Sequence, residues 1–113
     1  MNSAIENRRH LRIPLSWPVI LMSPQGPIKG ETGNISVGGV LILCSETIEI
    51  EDEFQIILKH PEDHEMPVSC EKVWSGKFIS DETVYNAIGV RFIKISHSDL
   101  DIIDSLVGEY YGV

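Results

Sequence analysis

A strict alternation of side chains from Val84 to Phe92 limits the possible folds of this chain more than any other feature. Val84, Asn86, Ile88, Val90 and Phe92 would share one face of an extended strand, since successive side chains of a strand point to opposite faces. Five other segments are also predicted to be strands: Ile13–Met22, Ile28–Gly33, Val40–Cys44, Phe54–Lys59 and Met66–Trp74. Six short strands with tight connections predict a small antiparallel barrel or sandwich.

The period of the pattern changes to a helical one after Ile95. Ser96 is suited to cap a helix, Asp99 follows at the capping-box spacing, and Gly112 is suited to end it. An apolar stripe with helical spacing lies between these ends: Leu100, Ile103, Leu106, Val107 and Tyr110. We therefore predict one helix over residues 97–111 that packs on the sheet or covers an open end of a barrel.

Composition excludes several classes of function. The length of 113 residues suits one domain, and the net charge of -8 argues against a general affinity for DNA, RNA or anionic membranes. No apolar run approaches the roughly 20 residues of a membrane-spanning helix, and no signal peptide is recognisable. Cys44 and Cys70 lie in apolar segments and are predicted to be buried free thiols, which favours a cytoplasmic location.

Two short segments stand out against this acidic background as a candidate ligand site. The segment Asn34–Gly39 separates two predicted strands and offers an amide, a hydroxyl and two glycines, Gly38 and Gly39, which permit close approach to the backbone. The segment Arg8–Arg12 holds three of the four arginines: Arg8, Arg9 and Arg12. Guanidinium groups bind phosphate oxygens and the O6/N7 edge of guanine through paired hydrogen bonds, and bases stack on them.

Strand pairing is predicted to bring these two segments together. Reversal at the turn Ser23–Pro27 would place Asn34 opposite Ser16, four residues after Arg12, which is about 13 Å along a strand. A long arginine side chain on a curled arm can cover that distance. The site would suit a small anionic ligand, and three charge-assisted contacts of about 1.5–3 kcal/mol each correspond to an affinity near low micromolar.

With both segments in order, the chain resembles the PilZ domain family, the bacterial receptor modules for cyclic di-GMP. The family motif R-x-x-x-R, in a doubled form, is matched by Arg8, Arg9 and Arg12. The family motif [D/N]-x-S-x-x-G is matched by Asn34, Ser36 and Gly39. The segments Val73–Trp74 and Ile88–Phe92, followed by a helix, are similar to the end of the family's domain, so the resemblance covers nearly the whole chain.

The resemblance implies an all-β fold with one C-terminal helix: a flexible arm over residues 1–12 and a six-stranded antiparallel barrel over residues 13–113. It implies that the arginines grip cyclic di-GMP while Asn34 and Ser36 contact it from the barrel. The ordered arm would then signal to an effector protein in motility, polysaccharide or biofilm control. The alternative is a protein-interaction adaptor of the same fold that binds no nucleotide. One or two bound nucleotides, and a monomer or a weak dimer, are all compatible with the sequence.

Other residue patterns favour neither catalysis nor a metal. His60 and His64 are four residues apart, but Pro61 and the acidic residues around them predict a turn rather than a metal-binding helix. No nucleophile pattern, P-loop or carboxylate pair is present, so we expect no enzyme activity, no metal and no cofactor. Arg91 is predicted to form a cross-strand ion pair and Trp74 to pack on a half-buried strand, with a place in the ligand site as the alternative for each.

Overall fold

Alternating apolar side chains arrange six long antiparallel strands around one core in the part of the chain that this computed structural model describes, residues 11–112. The elements are β1 (Ile13–Pro14), β2 (Pro18–Ser23), β3 (Gly26–Ile35), β4 (Gly39–Cys44), β5 (Glu53–His60), β6 (His64–Ser80), β7 (Thr83–Lys94) and helix α1 (His97–Tyr111). The long strands follow the order β3–β2–β5–β6–β7–β4, and β4 also pairs with β3, which closes the barrel. The predicted six-stranded antiparallel barrel with one C-terminal helix is confirmed.

The helix shares its core with the barrel. Fully buried side chains from all six long strands fill the interior: Leu21, Ile35, Ile42, Ile56, Leu58, Met66 and Val90. Ile103 and Val107 of α1 join the same core and Leu106 packs against it, so this part of the predicted apolar stripe faces the barrel. Tyr110, predicted as part of the same stripe, is exposed instead. The hydroxyl of Ser96 accepts a hydrogen bond from the backbone N–H of Asp99, and Gly112 ends the helix in the left-handed conformation at φ 72°.

The β6–β7 hairpin is longer than the sequence pattern predicted, because β6 ends at Ser80 instead of Trp74. Pairing of β6 with β5 stops at Glu71, and pairing of β7 with β4 stops at Asn86. Past these points, residues 74–80 of β6 pair with β7 alone and residues 83–85 of β7 pair with β6 alone, and we call these two segments the outer ribbon. The pairing of β6 with β7 shifts register between Ser69 and Cys70 and again between Lys72 and Trp74, on either side of Glu71, as β-bulges do.

The first predicted strand, Ile13–Met22, is wrong as a single element, because it divides into β1 and β2. Pro14 and Pro18 cannot donate to a ladder, and Leu15–Trp17 between them lies outside regular strand structure. The break is held by Thr32, whose hydroxyl accepts from the backbone N–H of Trp17 at 2.8 Å and donates to the carbonyl of Leu15. The backbone N–H of Thr32 donates to the carbonyl of Trp17 at 2.9 Å.

This break changes the predicted register. Asn34 pairs with Pro14, two residues closer to Arg12 than the predicted partner Ser16. The interruption between β3 and β4 is also shorter than predicted, because Asn34 and Gly39 belong to strands and residues 36–38 alone form the connection. The expected arm over residues 1–12 lies outside the described residues apart from its last two.

The two cysteines are buried free thiols, as predicted. Burial, with a smaller contribution from the charge of Glu46, raises the pKa of Cys44 from 9.0 to about 11. Burial alone raises the pKa of Cys70 from 9.0 to about 12. Both side chains therefore act as small apolar groups of the core.

Candidate functional site

Arg12 and Asn34, one from each polar segment, are in direct contact. The Nη1 atom of Arg12 donates a hydrogen bond to Oδ1 of Asn34 over 2.7 Å. The pairing of Pro14 with Asn34 explains this contact, since it places Arg12 two residues from the position opposite the amide. The two segments thus meet more closely than the separation of about 13 Å expected from sequence. The side-chain oxygen of Asn34 accepts this hydrogen bond from the guanidinium group. The bond fixes the direction in which Arg12 presents its other N–H groups.

The connection at residues 36–38 is built around the hydroxyl of Ser36. This hydroxyl accepts a hydrogen bond from the backbone N–H of Gly38 at 3.2 Å and lies 3.4 Å from the carbonyl oxygen of Gly39. The backbone N–H of Ser36 donates to the same carbonyl at 2.8 Å. Ser36 is buried, and the hydrogen bonds of its hydroxyl stabilise the conformation of the turn. Its predicted contact with a ligand stays a prediction.

Gly39 is required by a close approach of two strands. A Cβ atom added at Gly39 would lie 2.1 Å from the carbonyl oxygen of Val90, which is far inside van der Waals contact. Gly38 binds the same strand, because its carbonyl accepts from the backbone N–H of Phe92 at 2.9 Å. Neither glycine has a positive φ. The need for glycine at position 39 therefore comes from close packing and not from an unusual backbone angle. The turn is therefore clamped onto β7.

A groove of about 660 Å³ runs beside this turn. Three cations line it: Arg12 just before β1, and Arg91 and Lys94 on β7. Ser36, Val37 and Gly38 form its wall on the turn side, and apolar residues such as Val73 and Leu100 complete it. Its volume lies within the usual range for small-molecule sites, and its three cations suit an anionic ligand.

A second groove, of about 630 Å³, lies on another surface of the barrel and differs in character. Phe78 and Tyr85 of the outer ribbon line it together with Lys29 and Glu31 of β3. It contains none of the residues that the sequence singled out as a ligand site. The groove beside Arg12 is therefore the candidate functional site.

The remaining predicted residues divide into three groups. Arg8 and Arg9 lie outside the described residues, so their role stays a prediction. Arg91 forms the predicted cross-strand ion pair, with Nη2 at 2.7 Å from Oε2 of Glu71, and also lines the groove. Trp74 is about half exposed on the outer ribbon, more open than the predicted packing role implied.

Sequence reasoning missed two residues near the site. Lys94 lines the groove at the end of β7, where the alternation of the strand gives its face but not its distance from Arg12. Tyr111 donates a hydrogen bond from its hydroxyl to the backbone carbonyl of Arg12 at 2.5 Å. Its place at the end of the predicted helix carried no sign of this contact.

The histidines form contacts of another kind. Nε2 of His64 lies 2.6 Å from Oδ1 of the buried Asp99 at the start of α1. The ring of His60 packs edge-on against Trp17 with 5.1 Å between centroids. Among residues 11–112, no group of three or more His, Cys, Asp or Glu side chains is placed to hold a metal ion. No helix in the same part of the chain is long and apolar enough to cross a membrane.

Comparison with known proteins gives one family. The family model of the PilZ domain matches residues 6–109. A search among curated proteins finds no match. Several solved structures share the fold, among them the PilZ domain of YcgR from Escherichia coli with c-di-GMP, at a TM-score of 0.69 and 14% identity, covering 90% of this chain and 89% of that one.

Two larger proteins contain a similar domain. The motility inhibitor MotI/DgrA of Bacillus subtilis matches with a TM-score of 0.76 and 14% identity over 92% of this chain and 50% of its own. PlzA of Borreliella burgdorferi in complex with c-di-GMP matches with a TM-score of 0.73 and 14% identity over 95% of this chain and 54% of its own. The present chain therefore spans about half the length of these two proteins.

Proposed function

Because the chain belongs to the PilZ domain family, we propose that it is a receptor for cyclic di-GMP. The observation that carries the proposal is the 2.7 Å hydrogen bond between Arg12 and Asn34, which joins the two family motifs beside a cationic groove. The structures of YcgR and PlzA with c-di-GMP support the choice of ligand.

The chemistry of the groove suits this dinucleotide. Its two phosphates carry negative charge, and the free N–H groups of Arg12 offer a fork that matches phosphate oxygens or the O6/N7 edge of guanine. Arg91 and Lys94 add positive charge to the lining of the groove, although the charge of Arg91 is shared with Glu71. In the proposal, Arg8 and Arg9 approach the ligand from the arm and complete the R-x-x-x-R clamp.

Signalling follows from the same clamp in this proposal. Ligand binding would hold the arm against the barrel and change the surface that an effector protein contacts. Motility, polysaccharide synthesis and biofilm control are the processes that we propose for this effector. The receptor needs no catalysis, no metal and no cofactor, since binding energy alone drives the change.

Isothermal titration calorimetry with cyclic di-GMP tests the proposal, and titrations with GTP and cyclic GMP are the controls for specificity. We expect saturable binding of the cyclic dinucleotide near low micromolar Kd. Arg12→Ala should weaken binding by about 10- to 150-fold, since one charge-assisted contact contributes about 1.5–3 kcal/mol. Lys29→Ala is the matched control, because it removes an exposed cation from the second groove and should leave the Kd unchanged. Absence of heat from folded wild-type protein up to high micromolar ligand would refute the receptor function.

The adaptor function is the second candidate, and the outer ribbon favours it. Large apolar side chains there are exposed to solvent, among them Trp74, Phe78, Ile79 and Val84. The double variant Arg8→Ala/Arg12→Ala separates the two functions. An adaptor would keep its protein contacts in this variant, whereas a receptor would lose every response to the ligand.

A further inference from the structure

A hydrogen bond joins the last residue of α1 to the residue that precedes β1. The hydroxyl of Tyr111 donates to the backbone carbonyl of Arg12 over 2.5 Å, across 99 residues of sequence. We propose that Tyr111 is a positioning residue of the ligand site, which holds the backbone of Arg12 so that its guanidinium meets Asn34 at the groove. The inference rests on the proposed function, because it assigns a residue to the same site.

The helix provides a rigid support for this contact. Near its start, the carboxylate of Asp99 is buried and lies 2.6 Å from Nε2 of His64 on β6. Ile103 and Val107, one and two turns further on, are fully buried in the barrel core. The backbone N–H of Gly112 binds the carbonyls of Glu109 and Gly108, so the last turn is closed behind Tyr111. A donor on such a support keeps its place when the ligand arrives.

Arg12 needs a support of this kind because it stands at the boundary of the barrel. On its C-terminal side, Ile13 is buried and pairs with Ile35 of β3. Its own side chain is held through Nη1 by Asn34. The hydrogen bond from Tyr111 restrains the backbone of Arg12 as well. A cation whose backbone and side chain are both held loses less conformational entropy on binding, which raises affinity without a new contact to the ligand.

Tyr110 offers a matched control within the same turn of helix. The two rings lie 5.1 Å apart at an interplanar angle of 72°, so the residues share one environment. Tyr110 is 58% exposed and Tyr111 is 42% exposed. Tyr111→Phe and Tyr110→Phe each remove one hydroxyl and keep one ring, so a difference between them reports the bond to Arg12.

The test is titration with cyclic di-GMP, by calorimetry and by NMR up to millimolar ligand, on protein whose thermal unfolding confirms that it is folded. Tyr111→Phe should weaken binding by about 2- to 12-fold, the range for one neutral hydrogen bond, and Tyr110→Phe by less than about 2-fold. In the Arg12→Ala background, Tyr111→Phe should have no further effect, because Tyr111 acts through Arg12. A residue with a general structural role would weaken binding by the same factor in both backgrounds.

The outcomes separate this inference from the proposed function. If wild-type protein binds while Tyr111→Phe and Tyr110→Phe have the same Kd, or if the effects of Tyr111→Phe and Arg12→Ala are additive, the positioning role is refuted and the receptor function stands. If wild-type protein does not bind, the receptor function is refuted. The positioning of Arg12 is then decided by the NMR signals of the Asn34 side-chain amide in free protein, which should shift in Tyr111→Phe and remain in Tyr110→Phe.

Discussion

The barrel wall at β4 and the outer ribbon are both apolar antiparallel structure, yet they differ in their neighbours. β4 pairs with β3 on one side and β7 on the other, and every second residue faces the core. In the outer ribbon, residues 74–80 of β6 have β7 as their one neighbouring strand within residues 11–112. Isoleucines show the contrast, since Ile42 in the wall is fully buried and Ile79 in the ribbon is 71% exposed.

The difference teaches that an apolar side chain stabilises the fold only to the extent that other groups cover it. Burial removes apolar area from water and contributes about 25 cal/mol per Å². The wall gains this contribution on its inner face, whereas much of the apolar surface of the ribbon stays in contact with solvent. The polar site lies on the wall side of this division, where Ser36 is buried and Gly39 packs closely against Val90 of β7.

Truncation of matched isoleucines should give the largest contrast between the two regions. We expect Ile42→Ala to lower the free energy of unfolding by about 2–5 kcal/mol, since it leaves a cavity in the core. Ile79→Ala should change it by less than about 0.5 kcal/mol, because the side chain is already in water. Urea denaturation followed by tryptophan fluorescence measures both values. Equal losses would mean that the ribbon is covered in solution.

Thiol reactivity should give the next largest contrast. With its pKa raised from 9.0 to about 11, Cys44 carries about 100-fold less thiolate at pH 8 than an exposed cysteine, and Cys70 carries less still. Folded wild-type protein should therefore react slowly with a disulfide reagent such as DTNB. Ser75→Cys places a third thiol on the exposed ribbon and should add one fast-reacting group. A fast phase in the wild-type protein would show that one of the two native thiols is accessible.

Alanine substitution of two glycines should give the smallest of the three contrasts. At Gly39 a Cβ would meet the backbone oxygen of Val90, which can move only with its strand, so Gly39→Ala should cost about 1–3 kcal/mol. At Gly76 the nearest atom is Cζ2 of the half-exposed Trp74, at 2.8 Å, and this ring can rotate away. Gly76→Ala should stay within about 0.5 kcal/mol of wild type by thermal or urea unfolding. A large loss at Gly76 would show that the Trp74 ring is fixed.

Much of the fold could be predicted from local patterns. Alternation identified five of the six long strands, with bounds within a few residues for β4 and β5, and the caps Ser96 and Gly112 defined the helix. The first strand was predicted wrongly because Thr32, seventeen residues after Leu15, satisfies the backbone at the break. The end of β6 was missed because the ribbon buries little and its pattern therefore carries no strong period.

The candidate site was predictable in part. The motifs named Arg12 and Asn34, and antiparallel pairing implied that they approach each other, although the register was wrong by two residues. The position of Lys94 in the same groove depends on the curvature of a closed barrel, which no local pattern encodes. The use of the Ser36 hydroxyl within its own turn likewise depends on the strands that bury it.

The sequence by itself determined most of the elements, the family and the residue types of the site, because period, caps and motifs are local properties of the chain. Tertiary structure alone decided which groups are buried, which cations share a groove, and that Tyr111 reaches the carbonyl of Arg12. These contacts join residues as far as 99 positions apart. Their geometry follows from the closure of the barrel and from the packing of α1 against it. Only the folded core brings Arg12 and Tyr111, which are far apart in sequence, close together.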